Sequence, residues 1–369
     1  MVEWKKLGEV CNFQNGFAFK SNLFKSEGLP IVRITNITST DVDMSDCKYF
    51  DIGDYCKINL IPFQIKRDDI LLAMSGATTG KIGKYKRDKT AYLNQRVGKF
   101  IPQASVLNNG FLYHFLLNKT NELYIMAGGG AQPNLSSNKL MGELSIPLPS
   151  LSEQERIVGI LDTFTSSIEN LKTQISLRRK QYEHYRDKLL DIEGKPGVEM
   201  KTLGDVCKLE RGIRVVKKDL QENGVIPVYQ NSLTPLGFYE RSNFPANTSF
   251  VICAGAAGEI GFSDIPFWAA DDCTCMICPL LINGKYIYHF LITKQHVLKS
   301  QVRKASVPRL SKDVIAKLSI PLPSLEEQSR IVSILDEFEA SIKNLEAQLA
   351  QRQKQYEYYR EKLLTFERE

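Results

Sequence analysis

Fifty residues of this chain are written twice. Leu144 to Glu193 reads LSIPLPSLSEQERIVGILDTFTSSIENLKTQISLRRKQYEHYRDKLLDIE, and Leu318 to Glu367 reads LSIPLPSLEEQSRIVSILDEFEASIKNLEAQLAQRQKQYEYYREKLLTFE, identical at 33 of 50 ungapped positions. A repeat this close predicts one polypeptide with approximate two-fold symmetry. Behind a Pro-rich stop, Ser150 with Glu153 and Ser324 with Glu327 form Ser-x-x-Glu capping boxes. In such a box the Ser accepts from a free N–H of the first turn while the Glu reaches back to the cap residue. Apolar residues then step by four and three. In the first copy they are Ile157, Leu161, Phe164, Ile168, Leu171, Ile175, Tyr182, Tyr185 and Leu189. In the second they are Ile331, Leu335, Phe338, Ile342, Leu345, Leu349, Tyr356, Tyr359 and Leu363. The step averages about 3.5 residues, the period of a supercoiled seam. Arg178 and Arg352 interrupt both seams at the same place, and neither stretch contains a proline. About 39 residues at 1.5 Å each predict rods of roughly 58 Å.

Each rod carries an apolar stripe that must be covered, and the other rod is the simplest cover. A short polar linker, Glu193-Gly194-Lys195-Pro196-Gly197, leads from the first rod into a second globular segment, which feeds straight into the second rod. About eight linker residues reach at most about 28 Å, so this connectivity favours antiparallel pairing. A parallel pair, or each rod folded onto its own globe, is the alternative.

The segments before the rods are related more faintly. Leu7-Gly8-Glu9-Val10-Cys11 is echoed by Leu203-Gly204-Asp205-Val206-Cys207, the Gly-rich Gly76 to Gly83 by Gly255 to Gly261, and Tyr113-His114-Phe115-Leu116 by Tyr288-His289-Phe290-Leu291. Runs such as Ile31 to Ile34, Asp69 to Ala73 and Ser249 to Cys253 read as strands, and Gly110 to Lys119 and Gly284 to Lys294 as short helices with aromatic inner faces. The expected fold class is α+β: two globular mixed α/β domains separated by two long antiparallel coiled-coil helices, with pseudo-two-fold symmetry. The expected boundaries are 1–150 and 196–324 for the globes, and 151–195 and 325–369 for the helices.

Charge follows the same division. The chain carries a formal net charge of +6, residues 1–150 and 200–324 each count +5, and the rod segments 151–199 and 325–369 count −1 and −3. Basic globes suit the neutralisation of phosphates, and rods without that excess suit contact with protein. Basic side chains also lie beside groups able to read base edges, since Arg forks match guanine while Asn and Gln amides match adenine. The candidates in the first globe are Arg33, Asn36, Lys81, Lys84, Tyr85 and Arg96, next to Asn94-Gln95. In the second they are Arg211, Arg214, Lys217, Tyr229, Asn231 and Arg241, next to Gln230.

Other motifs carry less. The Gly76 to Ile82 stretch lacks the spacing and the Ser or Thr of a phosphate loop and reads as a tight turn. Asp264-Ile265-Pro266-Phe267 only faintly matches an adenine-methyltransferase tetrapeptide. Cys273-x-Cys275-x-x-Cys278 has no second pair or nearby His to complete a zinc site, so no metal is expected. With no signal peptide or membrane span, the expectation is a cytoplasmic chain whose cysteines are free thiols. No acid, base or nucleophile set recurs between the globes, His114 and His289 read as structural, and no catalytic residue is assigned.

The duplicated Ile-Pro-Leu-Pro-Ser-Leu-x-Glu-Gln-x-x-Arg-Ile-Val-x-x-Leu-Asp at 146–162 and 320–336, with the Leu-Gly-Glu/Asp-Val openings and the paired Gly-rich turns, makes the chain resemble the specificity subunit of a type I restriction–modification system over essentially its whole length. The resemblance implies two target recognition domains, each reading one half of a split duplex DNA sequence, with the helices fixing the spacer. It implies no catalytic site and no cofactor in this chain. Two modification subunits would bring S-adenosylmethionine to methylate adenine, and two restriction subunits, using ATP and Mg, can join. Glu259 stands where the first globe has Lys81, and Asp271-Asp272 where it has Asn94-Gln95, so contacts do not transfer between globes. A coiled-coil scaffold without nucleic acid is the competing reading. It leaves the basic charge of the globes and their divergence unexplained.

Overall fold

Each copy of the repeat begins as a strand and only then becomes a helix. In the computed structural model, which describes residues 2–130, 133–216, 218, 220–221 and 224–367, Ser145–Leu148 pairs antiparallel with Glu3–Lys6, and Ser319–Leu322 with Glu199–Thr202. Glu3 lies opposite Leu148 and Glu199 opposite Leu322, so the two registers coincide. Proline lacks the donor a central strand needs, and these are two-stranded edges that tolerate Pro147 and Pro321. The Leu-Gly-acid-Val openings are single helical turns, Leu7–Val10 and Leu203–Val206. Leu7 N donates to Leu144 O and Leu203 N to Leu318 O, both at 2.8 Å, so the first and last segments of each globe are tied together. A Cβ at Gly8 would lie 3.0 Å from Met141 O, which accounts for the glycine at that contact.

The chain divides into two compact units, Met1–Asn170 with Leu349–Glu369, and Leu171–Gln348. Each holds one globe and part of each long helix. In the first unit, Cys11–Asn15, Val97–Pro102, Ile70–Ala73 and Ile82–Lys84 form, in that order, a four-stranded antiparallel sheet. Lys208–Arg211, Cys273–Ile277, Thr248–Ile252 and Ile260–Ser263 repeat it in the second. A further sheet in each unit contains one parallel pair, Leu29–Val32 with Ala91–Leu93 and Ile226–Tyr229 with Trp268–Ala269.

Successive strand residues face opposite sides, so each large sheet serves two cores. In the first unit Ile70, Leu72 and Phe100 pack with Phe111, Phe115 and Leu161, while Leu71, Ala73 and Val97 pack with Val32 and Leu93. In the second, Val251 and Met276 pack with Phe290, Ile331 and Leu335, while Phe250, Cys273 and Cys275 pack with Phe244 and Phe267. Cys273 and Cys275 are therefore core side chains of one strand face. The matched glycines of the Gly-rich turns, Gly76 with Gly255 and Gly80 with Gly258, have φ of +76°, +81°, +83° and +88°, the left-handed region that glycine enters without strain.

The aromatic helices run Asn109–Asn118 and Gly284–Ser300, capped by the side chains of Asn108 and Asn283. The second extends past the expected Lys294. The first breaks at Lys119 and resumes as Thr120–Met126.

The long helices are Leu151–Leu190 and Leu325–Leu364, 40 residues each. Ser150 and Ser324 accept from Glu153 N and Glu327 N at 3.3 Å. The expected return arm of the capping box is replaced: Glu153 takes both forks of Arg156, and Glu327 both forks of Arg330. A charge-assisted bidentate pair one turn away outcompetes the neutral backbone donor. Gln154 and Gln328, one residue past each capping Glu, do the anchoring. Gln154 accepts from Asn108 N at 2.8 Å and donates to Val106 O and Pro149 O. Gln328 accepts from Asn283 N at 2.9 Å and donates to Pro323 O and Leu281 O. Each buried amide joins the start of a long helix to the cap of its aromatic helix.

Within the second unit the long-helix stretches run antiparallel: Arg179 pairs with Glu346, Tyr182 donates to Glu339 and Tyr185 stacks on Phe338. Of the seam positions, Ile157, Leu161, Ile168, Ile175, Ile331, Leu335 and Tyr356 are buried, and Phe164, Leu171, Tyr182, Phe338, Ile342, Leu345 and Leu349 half-buried. Tyr185 and Tyr359 are exposed, which corrects their placement on the seam. They form outer stacks instead, Tyr185 on Phe338 with Arg178 over that ring, and Tyr359 on Phe164 with Arg352 over that one. The arginines that interrupt the heptads are thus cation–π caps. Among the described residues no helix is long and apolar enough to cross a membrane.

Candidate nucleic-acid interface

The parallel strand pair of the first unit brings two chain segments out side by side. Asn94 N donates to Val32 O at 3.0 Å, the chain turns tightly with Val97 N on Asn94 O at 2.9 Å, and Arg96 O accepts from Met74 N at 2.9 Å. A Cβ on Gly16 would stand 1.9 Å from Asn94 O, so only glycine lets the neighbouring backbone lie against this turn. The result is a cleft of about 250 Å³ lined by Arg33, Ile34, Thr35, Asn94, Gln95 and Arg96. Gln95 and Arg96 are exposed. Arg33 is half-buried, with its head 3.8 Å from the Asp46 carboxylate.

The second unit repeats the backbone circuit with other side chains. Ala270 N donates to Tyr229 O at 2.8 Å, Cys273 N to Ala270 O at 3.0 Å, and Cys253 N to Asp272 O at 2.6 Å. Gly212 takes the part of Gly16, its Cβ position 2.2 Å from Ala270 O. Ala270-Asp271-Asp272 therefore occupies the place of Asn94-Gln95-Arg96, which moves the expected match of Asp271-Asp272 from Asn94-Gln95 to Gln95-Arg96, and Gln230-Asn231 follows Tyr229 as Arg33-Ile34 follows Val32. Arg211 Nε donates to Asp271 O, and its guanidinium stands 4.0 Å from the Asp271 carboxylate. One backbone frame thus carries basic and amide side chains in the first unit and acidic and amide side chains in the second.

The other candidates fare unevenly. Asn36 and Tyr85 are corrected. Asn36 is buried, accepting from Arg33 N and donating to Asp43 O and Asp46 O; Tyr85 is buried with its hydroxyl on Lys89 O at 2.6 Å. Both are buried and spend their donor hydrogens on backbone carbonyls inside the globe. Lys84 is half-buried, 3.2 Å from Asp68. Lys81 is half-buried at the Gly-rich turn, and its counterpart Glu259 is neutralised by Lys299 at 2.7 Å. Tyr229 sits among Phe250 and Phe267, whereas Arg214, Asn231 and Arg241 are exposed. Lys217 lies outside the described residues.

Each unit also holds a His–Asp–Tyr set built around a buried histidine. His114 Nε2 is 2.8 Å from Asp162 and its Nδ1 3.0 Å from the Tyr356 hydroxyl. The hydrogen bond from His114 holds the Asp162 carboxyl below its ordinary range. His289 Nδ1 is 3.1 Å from the Tyr182 hydroxyl, but its Nε2 lies 3.5 Å from Asp336. The histidine comes from the globe's aromatic helix, the Asp and Tyr one from each long helix, so the set fastens the globe to both. Matched spacing in the two halves was its only trace in the sequence. Around His289 the side chains of Asp336 and Glu339 gather possible metal-ligating atoms within 4.8 Å. The Lys285 ammonium, 2.7 Å from Asp336 and 3.5 Å from Glu339, already supplies the positive charge there.

Burial, opposed by Asp336, lowers the pKa of His289 to about 4. The unfolded chain protonates this imidazole near pH 6.5 and the folded one only near pH 4. The unfolded state binds more protons between those values, so stability falls as pH drops through that window, by about 2–3 kcal/mol. Urea unfolding of the full chain at pH 7 and pH 4.5 should show the wild type losing that much more than His289→Asn. Equal losses would mean the imidazole is not held neutral.

The family model described as type I restriction modification DNA specificity domain matches residues 1–178 and again 196–352. A putative type I restriction enzyme specificity subunit of Haemophilus influenzae is 32% identical, over 99% of this chain and 96% of its own length. The EcoR124I/EcoR124II specificity subunit of Escherichia coli is 30% identical over 69% of this chain and 70% of its own. The crystal structure of the type I restriction-modification S subunit from M. genitalium superposes with a TM-score of 0.71 at 18% identity, covering 100% of this chain and 97% of that one, a likeness of fold.

Proposed function

Because this chain belongs to the type I restriction–modification specificity family, we propose that it is the DNA-reading subunit of such a complex, each globe engaging one half of a bipartite duplex target. The observation that carries this reading is the repeated backbone frame: it shapes the cleft of the first unit, recurs in the second, and carries different polar side chains in each. A frame duplicated for structural reasons alone would have no cause to exchange Asn94-Gln95-Arg96 for Ala270-Asp271-Asp272. In the first globe Arg33 and Arg96 offer forks for guanine, and Asn94 and Gln95 amides for adenine. In the second, Gln230 and Asn231 suit adenine, and Asp271 and Asp272 accept from the cytosine amino group. Lys81, Lys84, Arg211, Arg214 and Arg241 are assigned to phosphates, which position without specifying.

The long helices pass from one unit into the other along the chain, and we assign to them the number of unspecified bases between the half-sites. Their duplicated Arg–Phe–Tyr outer stacks suit two copies of one partner, the modification subunit. Methyl transfer with S-adenosylmethionine is placed in that partner and ATP-driven cleavage in a pair of restriction subunits. This chain acts without catalysis of its own. A scaffold that never meets nucleic acid leaves the paired frames with their divergent side chains without a use.

The test is a domain exchange. Residues 1–150 are replaced by the matching segment of another specificity subunit, and the chain is expressed with its modification subunit for genome-wide mapping of methylated adenine. One half of the methylated motif should change while the other half and the spacer persist. A motif altered in both halves, or unaltered, would overturn the reading.

A further inference from the structure

Cys207 and Cys278 of the second unit face each other across an antiparallel strand pair. The ladder sets Lys208 against Ile277 and Arg211 against Thr274, so the two cysteines lie one step past its end, and their sulfurs are 3.0 Å apart. Directly opposed residues of such a ladder have Cα atoms about 4.5–5.5 Å apart, inside the roughly 4.4–6.8 Å that a disulfide spans. Joining them asks for side-chain rotation and no shift of register. Cys207 is buried, whereas Cys278 is partly exposed, so one sulfur can be reached from solvent while the other waits behind it. The hydrogen bond between the two sulfurs, which either thiol can donate, lowers the pKa of Cys278 and favours the thiolate, its nucleophilic form. The first unit supplies an internal contrast. Its matching position is Cys11, opposite Pro102, and burial pushes that thiol up to about 12.

We propose that Cys207 and Cys278 form an oxidation site that takes a two-electron oxidant of the peroxide class and closes to a disulfide. The Cys278 thiolate attacks one peroxide oxygen, the O–O bond breaks, and hydroxide leaves, giving a sulfenic acid at Cys278. Cys207 sulfur then attacks the Cys278 sulfur, the S–O bond breaks, and water leaves with the Cys207 proton. Overall two thiols are oxidised, hydrogen peroxide is reduced, and two waters form. The bond staples the edge strand Lys208–Arg211 to Cys273–Ile277, its neighbour in the sheet. It stands independently of the DNA-reading assignment, since it needs only the two sulfurs.

The experiment treats the reduced full chain with a few equivalents of hydrogen peroxide, blocks remaining thiols with N-ethylmaleimide and maps tryptic peptides. A linked pair, two hydrogens lighter than its parts, is expected between the Cys207 peptide and the one holding Cys253, Cys273, Cys275 and Cys278. Fragmentation should locate the bond at Cys278, and dithiothreitol should reverse it. In Cys207→Ser the link disappears and Cys278 is trapped as a sulfenic acid that dimedone labels, while Cys11 is alkylated throughout. Oxidation confined to the exposed Cys56, or a link from Cys207 to any cysteine other than Cys278, would overturn the proposal.

Discussion

Leu161→Ala and Leu335→Ala are each expected to lower the unfolding free energy by about 2–5 kcal/mol. Both leucines are fully buried, and they hold equivalent places in the repeat. Leu161 packs in the core that joins Phe111 and Phe115 of the aromatic helix to Ile157 and Tyr356 of the long helices, and Leu335 lies with Phe290, Leu291 and Ile331 in the second. Truncation removes apolar burial and leaves a cavity in a core whose rigid helices collapse only partly around it. Leu177, on the same helix as Leu161 but 56% exposed, serves as control, and Leu177→Ala should change stability by no more than about 0.5 kcal/mol. Urea unfolding of the full chain followed by circular dichroism measures all three. If Leu161→Ala matched Leu177→Ala, the helix would not be part of the globe's core.

Arg96→Ala should relax the methylated motif at one position of one half-site and leave the other half intact. The side chain is exposed at the rim of the first cleft, in a turn fixed by the Val97-to-Asn94 and Met74-to-Arg96 backbone bonds, so its removal does not disturb the frame. A bidentate Arg–guanine contact discriminates by about 1–3 kcal/mol, or roughly 5- to 150-fold. Methylated-adenine mapping should therefore show other bases accepted where the wild type requires one. Tyr85→Phe, which removes only a hydroxyl bonded to Lys89 O, should leave the motif as it was. An unchanged motif with Arg96→Ala would remove this cleft from base reading, while the domain exchange would still report on the globe as a whole.

These two predictions sit at opposite ends of what the sequence made legible. The repeat announced both long helices because seam residues such as Leu161 and Leu335 recur at a heptad step, a periodicity independent of everything else in the chain. The proposed reading surface was only partly visible. Arg33, Asn94, Gln95 and Arg96 drew notice as residue types able to face a base, but so did Asn36 and Tyr85, which the fold consumes. An amide or phenol has the same letter whether it faces solvent or satisfies a neighbouring carbonyl. Its fate depends on the backbone groups that folding leaves unpaired nearby, as Asp43 O and Asp46 O are for Asn36.

By itself the sequence determined the duplicated design, the two 40-residue helices with their apolar seams, the related but divergent globes and the family. Those features rest on local pattern: period, caps, glycine turns and a repeated motif. Only the tertiary structure decided which partners meet. It set Gln154 against Asn108, joined His114 to Asp162 and Tyr356, put Asp271-Asp272 in the place of Gln95-Arg96, and turned Cys207 toward Cys278. The reason is distance along the chain. The side-chain contacts among these join residues 46 to 242 positions apart, and hydrogen bonding and burial choose among such pairs only after the strands and helices have been brought together.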